Sequence, residues 1–168
     1  MTTLKQIEVR DPFTNEIYQT FLQSSSMEIQ LALQNGHDYY QEALGQDISE
    51  RAKQLQQLAT VFLKHQDELA TVAAHNMGKR LSEGQNEVAA AAKIAHYFAD
   101  HGAEFLTDKP YQLDGLKAHL TYMATGIVLA VEPWNFPYTQ VMRVFAPNFI
   151  LCNPVILKHA GITAGCAA

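Results

Sequence analysis

The chain has 168 residues, 48% hydrophobic and 17% charged, which fits one domain, or one domain and the start of a second, and excludes a disordered polymer. A net charge of −5 without any run of Lys and Arg excludes a nucleic-acid face. Met1 to Pro12 hold no apolar signal core and the longest apolar run is only Ile127 to Val131, so no membrane segment is expected and the expectation is a soluble, cytoplasmic protein.

Residues 4–23 read as a β-hairpin. Ile7 and Val9 alternate with polar neighbours, Asp11 to Asn15 carry turn chemistry, and the return strand runs from about Glu16 to Leu22. Three helices follow. In the first, Ile29, Ala32, Leu33, Gly36, Tyr40, Ala43 and Leu44 share a face, with Ser26 as N-cap and Gly45 as stop. The second starts at Ser49 with Ile48 as a staple. Its stripe runs Ala52, Leu55, Ala59, Phe62, Leu69, Ala73, and Gly78 ends it. The third opens on Ser82-Glu83-Gly84-Gln85, a capping-box pattern. Its stripe is Val88, Ala91, Ala95, Phe98, Gly102 and Phe105, whose small members permit close helix approach, and Pro110 lies beyond its end. Tyr39, Tyr40, Tyr97 and Phe98 lie near these stripes and are expected in the core.

Leu116 to Met123 alternates as a half-exposed strand whose edge is expected to pair outside its own domain. At Gly126 the pattern changes. Ile127 to Val131 is uniformly apolar, as in a parallel strand buried on both faces. A loop, Glu132 to Pro137, leads to a helix from Tyr138 to Leu151, which Pro147 is expected to kink or divide. Asn153-Pro154 turns into a second short strand, Val155 to Leu157, and another helix begins near Ile162. This β-α-β-α order is the opening of a doubly wound α/β sheet. Two parallel strands do not complete such a sheet, so the periodicity alone predicts that the chain stops early.

In open α/β sheets ligands bind at the carboxyl ends of the strands. Pro133 to Pro137 and Lys158 fall there. Two prolines bracket Asn135, whose amide can donate to charge developing on a substrate oxygen or can cap its own loop. The Lys158 ammonium can hold a ribose or phosphate, or stand solvated at a strand end. The two cysteines, Cys152 and Cys166, are 14 apart with no CxxC and no His at ligand spacing. They fit a reducing compartment and read as small buried residues. His96 and His101 are five apart, the wrong spacing for one helix face, so no metal site is expected.

Gly126 to Pro137, with Pro133-Trp134-Asn135-Phe136-Pro137 inside it, and Pro147 to Lys158 at the right distance resemble the aldehyde dehydrogenase superfamily. Met77 to Glu83 resembles that family's Gly-Lys-Pro-Leu-x-Glu stretch. Leu157 to Ala160 and Gln140 to Arg143 look most like its succinate-semialdehyde dehydrogenases. The resemblance covers nearly the whole chain. It implies a partial NAD(P)-binding, Rossmann-like domain over 1–168, an oligomerisation-arm strand at 114–124, and an absent catalytic domain.

The resemblance also implies roles. In the family a Cys attacks the aldehyde, hydride passes to the nicotinamide of NAD or NADP, and a Glu base helps water hydrolyse the thioester. The residue matching Asn135 donates its amide to the oxyanion. Pro133 and Trp134 match the loop facing the nicotinamide half of the cofactor, and Lys158 matches the Lys that holds the adenosine ribose. In some members an Arg at the position of Arg143 pairs with the substrate's distal carboxylate; otherwise Arg143 lies on a solvated helix face.

Where many NAD-preferring members carry a Glu, three residues after the Lys, this chain has Gly161. That removes a repulsion of the 2′-phosphate and makes NADP tolerable. Leu151-Cys152-Asn153 replaces the usual Ala-Gly-Asn. The family's nucleophilic Cys and Glu base would lie beyond residue 168, and Cys166, at the start of the helix after Lys158, is not that nucleophile. The partner implied is a small-molecule aldehyde, with a homo-oligomer for the intact enzyme. A chain of this kind is expected to be inactive alone. The other readings are a non-enzymatic piece that pairs with an intact homologous subunit, and one half of a split enzyme.

Overall fold

The computed structural model describes residues 5–168; what was expected of residues 1–4 lies outside them. An antiparallel hairpin opens the chain, β1 (Gln6–Arg10) against β2 (Ile17–Leu22). Asp11 closes its turn by accepting from the backbone N–H of Phe13 and Thr14. His75 bonds the same carboxylate at 2.6 Å, and this bond above all holds the Asp11 carboxyl below its usual range.

Four helices follow instead of three. Helix α1 (Ser26–Ala43) is capped by Ser25, not by Ser26, because the Ser25 hydroxyl accepts from Glu28 N–H while the Glu28 carboxylate accepts from Ser25 N–H. Its apolar stripe stays largely uncovered, with Ile29 50% and Leu33 40% exposed. Helix α2 (Ile48–Lys64) is capped by Asp47, so Ile48 is its first residue and not a staple outside it. The expected long second helix breaks at His65, whose φ of −103° and ψ of 20° leave the helical region. A separate helix, α3 (Gln66–Met77), continues to Gly78, whose φ of +73° is the left-handed cap that glycine adopts without strain.

Helix α4 (Leu81–Phe105) is the centre of the molecule and packs against α2, α3 and, further on, α5 (Pro137–Ile150). It starts one residue before Ser82, and no side chain caps it at that end. The capping box expected at Ser82 does not form. Leu55, Ala59, Val88, Ala91, Ala95, Met142, Ala146 and Ile150 belong to the buried core that it shares with α2 and α5. A Cβ on Gly102 would lie 2.6 Å from Ile150 Cγ2, so only glycine permits this approach of α4 to α5. Phe98 and Tyr39 are half-buried, whereas Tyr97 is exposed, in an aromatic cluster with Phe98, His101 and Phe105.

The strand at 116–123 has a partner within the chain. As β4 (Leu116–Leu120) it pairs antiparallel with β3 (Lys109–Leu113), so Pro110 lies inside a strand. Leu113 faces Leu116 across Asp114-Gly115, a two-residue turn with Gly115 at φ +77°. The hairpin is exposed along nearly all its length.

The parallel pair is present: β5 (Val128–Val131) beside β6 (Val155–Lys158), joined by α5. The chain is therefore mixed α/β. The expected burial of β5 on both faces is not met, since Leu129 and Val131 are each 64% exposed. Pro147 lies within α5 without dividing it. After β6, a 3-10 turn (Gly161–Thr163) runs into the short helix α6 (Ala164–Ala167). Among the described residues, no helix is long and apolar enough to cross a membrane.

Candidate active site

The loop from Glu132 to Phe136 leaves the carboxyl end of β5 and enters α5. Its first residue is tied to the neighbouring strand, because Glu132 N–H donates to the Lys158 carbonyl at 3.1 Å. Lys158 is also the register partner of Val131. The Asn135 loop and Lys158 thus emerge from adjacent strand ends.

The entrance to α5 is built from another helix. Pro137 stands in the first turn, where its missing N–H leaves no gap. The next two N–H groups, of Tyr138 and Thr139, both donate to Glu87 Oε1, at 2.8 and 3.1 Å. A carboxylate at a helix N-terminus satisfies free donors and meets the positive end of the dipole. Glu87 is buried on α4, so this cap ties α4 to α5. Its other oxygen pairs with Lys79, whose ammonium donates to the Asn135 carbonyl at 2.8 Å and stands 4.5 Å from the Phe136 ring centre.

A cleft of about 580 Å3 opens beside this network. One wall is the α4 face of Glu83, Asn86, Glu87 and Ala90, at helical spacing. The other carries Asn135, Phe136, Thr139 and Arg143, with Lys79 between. Asn135 and Arg143 therefore border the same space. The Asn135 side chain makes no hydrogen bond among the described residues; only its backbone carbonyl is bonded, by Lys79. Lys79 is neutralised by Glu87, and Glu83 by Arg80 at 2.6 Å. Arg143 is exposed on α5 and has no carboxylate within ion-pair distance among the described residues, so no protein charge compensates it at the cleft.

The other expected site residues lie outside the cleft lining. Pro133 and Trp134 are exposed in the loop, Lys158 is exposed at the end of β6, and Gly161 is exposed at the start of the 3-10 turn. Cys166 is half-buried beside Tyr138, and burial pushes its thiol up to about 11. Lys79 and Glu87 were not singled out from the sequence. The available signals were Lys79 inside the Met77–Glu83 motif, and an acidic residue at the spacing of the buried stripe of α4.

Cys152, where the resemblance expects glycine, has a φ of +69°. The left-handed backbone explains the usual glycine, and here a thiol occupies it while donating to the Ala43 carbonyl at 3.3 Å. Next to it, Asn153 Oδ1 accepts from Thr125 and Gly126 N–H, at 2.8 and 3.1 Å, and so fixes the entry to β5 against the turn before β6.

The model of the aldehyde dehydrogenase family matches residues 1–168. A Deinococcus radiodurans protein named succinate-semialdehyde dehydrogenase (NADP+) is 36% identical over 150 residues, covering 89% of this chain and 31% of its own length. The Escherichia coli succinate semialdehyde dehydrogenase Sad, named for NAD(P)+, is 31% identical over 157 residues, with 94% and 34% covered. The crystal structure of succinic semialdehyde dehydrogenase from Streptococcus pyogenes in complex with NADP+ superposes with a TM-score of 0.93 at 41% identity, over 96% of this chain and 36% of that one. The chain thus spans about a third of the length of these relatives. On the match of the whole chain, it belongs to the aldehyde dehydrogenase family.

Proposed function

We propose that this chain is the cofactor-domain part of an NAD(P)-dependent succinate-semialdehyde dehydrogenase, and that its cleft binds the semialdehyde. The observation that carries this reading is that Asn135 and Arg143 border one cleft in which Arg143 is the uncompensated charge. Succinate semialdehyde has a carbonyl at one end and a carboxylate at the other. In this reading the Arg143 guanidinium grips the carboxylate with two hydrogen bonds. The Asn135 amide donates to the oxygen that becomes negative when the carbonyl is attacked. The nucleophilic Cys and the Glu base would come from the part of the relatives that this chain does not span.

The strand ends fit a dinucleotide. Lys158 offers an exposed ammonium without a carboxylate partner among the described residues, suited to ribose hydroxyls. Gly161 puts no carboxylate where a 2′-phosphate would stand, and the Deinococcus radiodurans relative carries NADP+ in its name and the Streptococcus pyogenes one in its crystal. Bound there, the nicotinamide would supply the hydride acceptor. The Rossmann-like completion of the β5–β6 pair belongs to the same proposal, as does an oligomerisation arm made by the exposed β3–β4 hairpin.

The test is a chimera in which this chain replaces the matching part of the Streptococcus pyogenes enzyme. It should oxidise succinate semialdehyde with NADP+, while the 168-residue chain alone gives no turnover. Asn135→Ala in the chimera should lower kcat by about 100- to 1,000-fold, with little change in the KM for cofactor. An unchanged kcat would remove Asn135 from the oxyanion role.

A further inference from the structure

The loop that carries Asn135 is held from both sides by one buried ion pair. The side chains of Lys79 and Glu87 are only 7% and 1% exposed. The Lys79 ammonium donates to the Asn135 carbonyl at 2.8 Å and lies 4.5 Å from the Phe136 ring centre. Glu87 Oε1 receives the N–H groups of Tyr138 and Thr139, just beyond the loop, while Glu87 Oε2 pairs with Lys79. A charged pair out of water is a weak source of net stability, but its geometry is sharply defined by the hydrogen bonds that both partners require. Here those bonds go to the Asn135 carbonyl before Phe136 and to the Tyr138 and Thr139 N–H groups after Pro137.

We infer that Lys79 and Glu87 are positioning residues that fix the backbone on both sides of Phe136 and thereby aim the Asn135 amide into the cleft. This rests on the proposed oxyanion role of Asn135. Its physical content, the pinning of the loop, can be read without any enzymatic turnover. Neither residue needs to touch substrate. An amide donor that wanders loses alignment with the developing charge, and misplacement of about 1 Å is enough to matter. Removing Lys79 alone leaves a buried carboxylate unpaired. Removing the charge on Glu87 as well, with Glu87→Gln, keeps an oxygen to cap α5 but dissolves the pair.

The chain offers its own probe, because Trp134 is its single tryptophan and precedes Asn135. Time-resolved fluorescence anisotropy of Trp134 is measured in the 168-residue chain, with far-UV circular dichroism to follow the helices. In Lys79→Met the nanosecond loss of anisotropy should increase at least about twofold at unchanged helix content, because a freed loop moves on that timescale. Lys79→Arg, which keeps charge and donors, should return it to the wild-type value. If Lys79→Met fails to fold, Lys79→Met/Glu87→Gln, which buries no lone charge, should fold and show the same increase.

Wild-type anisotropy at Trp134 as low as in urea would overturn the inference, since the loop would then not be held. So would an unchanged signal in folded Lys79→Met, or failure of Lys79→Arg to restore it. Loss of fold in the double variant as well would make the pair a general structural element and would also overturn it. A positive anisotropy result combined with an unaffected Asn135→Ala chimera would leave the pinning in place and remove the oxyanion reading.

Discussion

The thiol of Cys166 packs beside Tyr138 and the core of α4 and α5, and burial raises its pKa to about 11. Burial also raises the Cys152 thiol. A thiol is nucleophilic only as thiolate, so neither cysteine is set up for catalysis near neutral pH. Iodoacetamide should modify Cys166 in the folded chain at pH 8 roughly a hundredfold more slowly than free cysteine. The rate should climb with pH until about 11, as the thiolate fraction rises. Rapid labelling of Cys166 at neutral pH, read by mass spectrometry of the peptide, would contradict the high pKa. At this scale the site was partly legible. Asn135 stood out because two prolines bracket it, and Arg143 through the resemblance. Lys79 and Glu87 did not, because their partners are 56 and 51 residues away. Ser25 and Ser26 offer the same hydroxyl in sequence, and only the backbone angles decide that Ser25 caps.

The apolar periodicity of the helices predicted where they lie, but not the break at His65. Lys64-His65-Gln66 contains no Gly or Pro, and the stripe continues across it, so spacing alone joins α2 to α3. The opposite holds for β3. Asp114-Gly115 between Leu113 and Leu116 is a strong two-residue hairpin signal. Pro110, placed beyond the end of α4, does not exclude a strand there, because proline is tolerated on an edge strand such as β3. The resulting hairpin stands out from the body with Leu113 58% and Leu116 69% exposed. If it is an oligomerisation arm, Leu116→Asp should leave the melting temperature of the 168-residue chain within about 2 °C of wild type, since the side chain is 69% exposed here. In the chimera the same change should shift the species seen by light scattering from oligomer toward monomer. An unaltered oligomer would assign the hairpin another role.

Across the whole molecule, the mixed α/β class and the parallel strand pair were readable from the switch between alternating and uniformly apolar runs. Burial was not. Leu129 and Val131 are apolar yet exposed, because a β5–β6 pair with α5 and α1 beside it does not cover both faces of β5. Uniform apolarity reports what a strand is suited to pack against, and the described residues supply only part of that. The candidate site behaves differently. Its two proposed substrate contacts meet within one chain, because Asn135 precedes α5 and Arg143 lies on that helix. Asn135 is placed by the loop between β5 and α5, which Lys79 and Glu87 hold, and Arg143 by the packing of α5 on α4.

Steady-state kinetics of the chimera with Arg143→Leu, comparing succinate semialdehyde with butanal, test this most directly. If the guanidinium holds the distal carboxylate, kcat/KM for succinate semialdehyde should fall by about tenfold to a hundredfold, the value of a charged hydrogen-bonded contact, while butanal, which has no carboxylate, changes little. Equal losses for both aldehydes, or no loss for either, would contradict the placement of the substrate's carboxylate at Arg143.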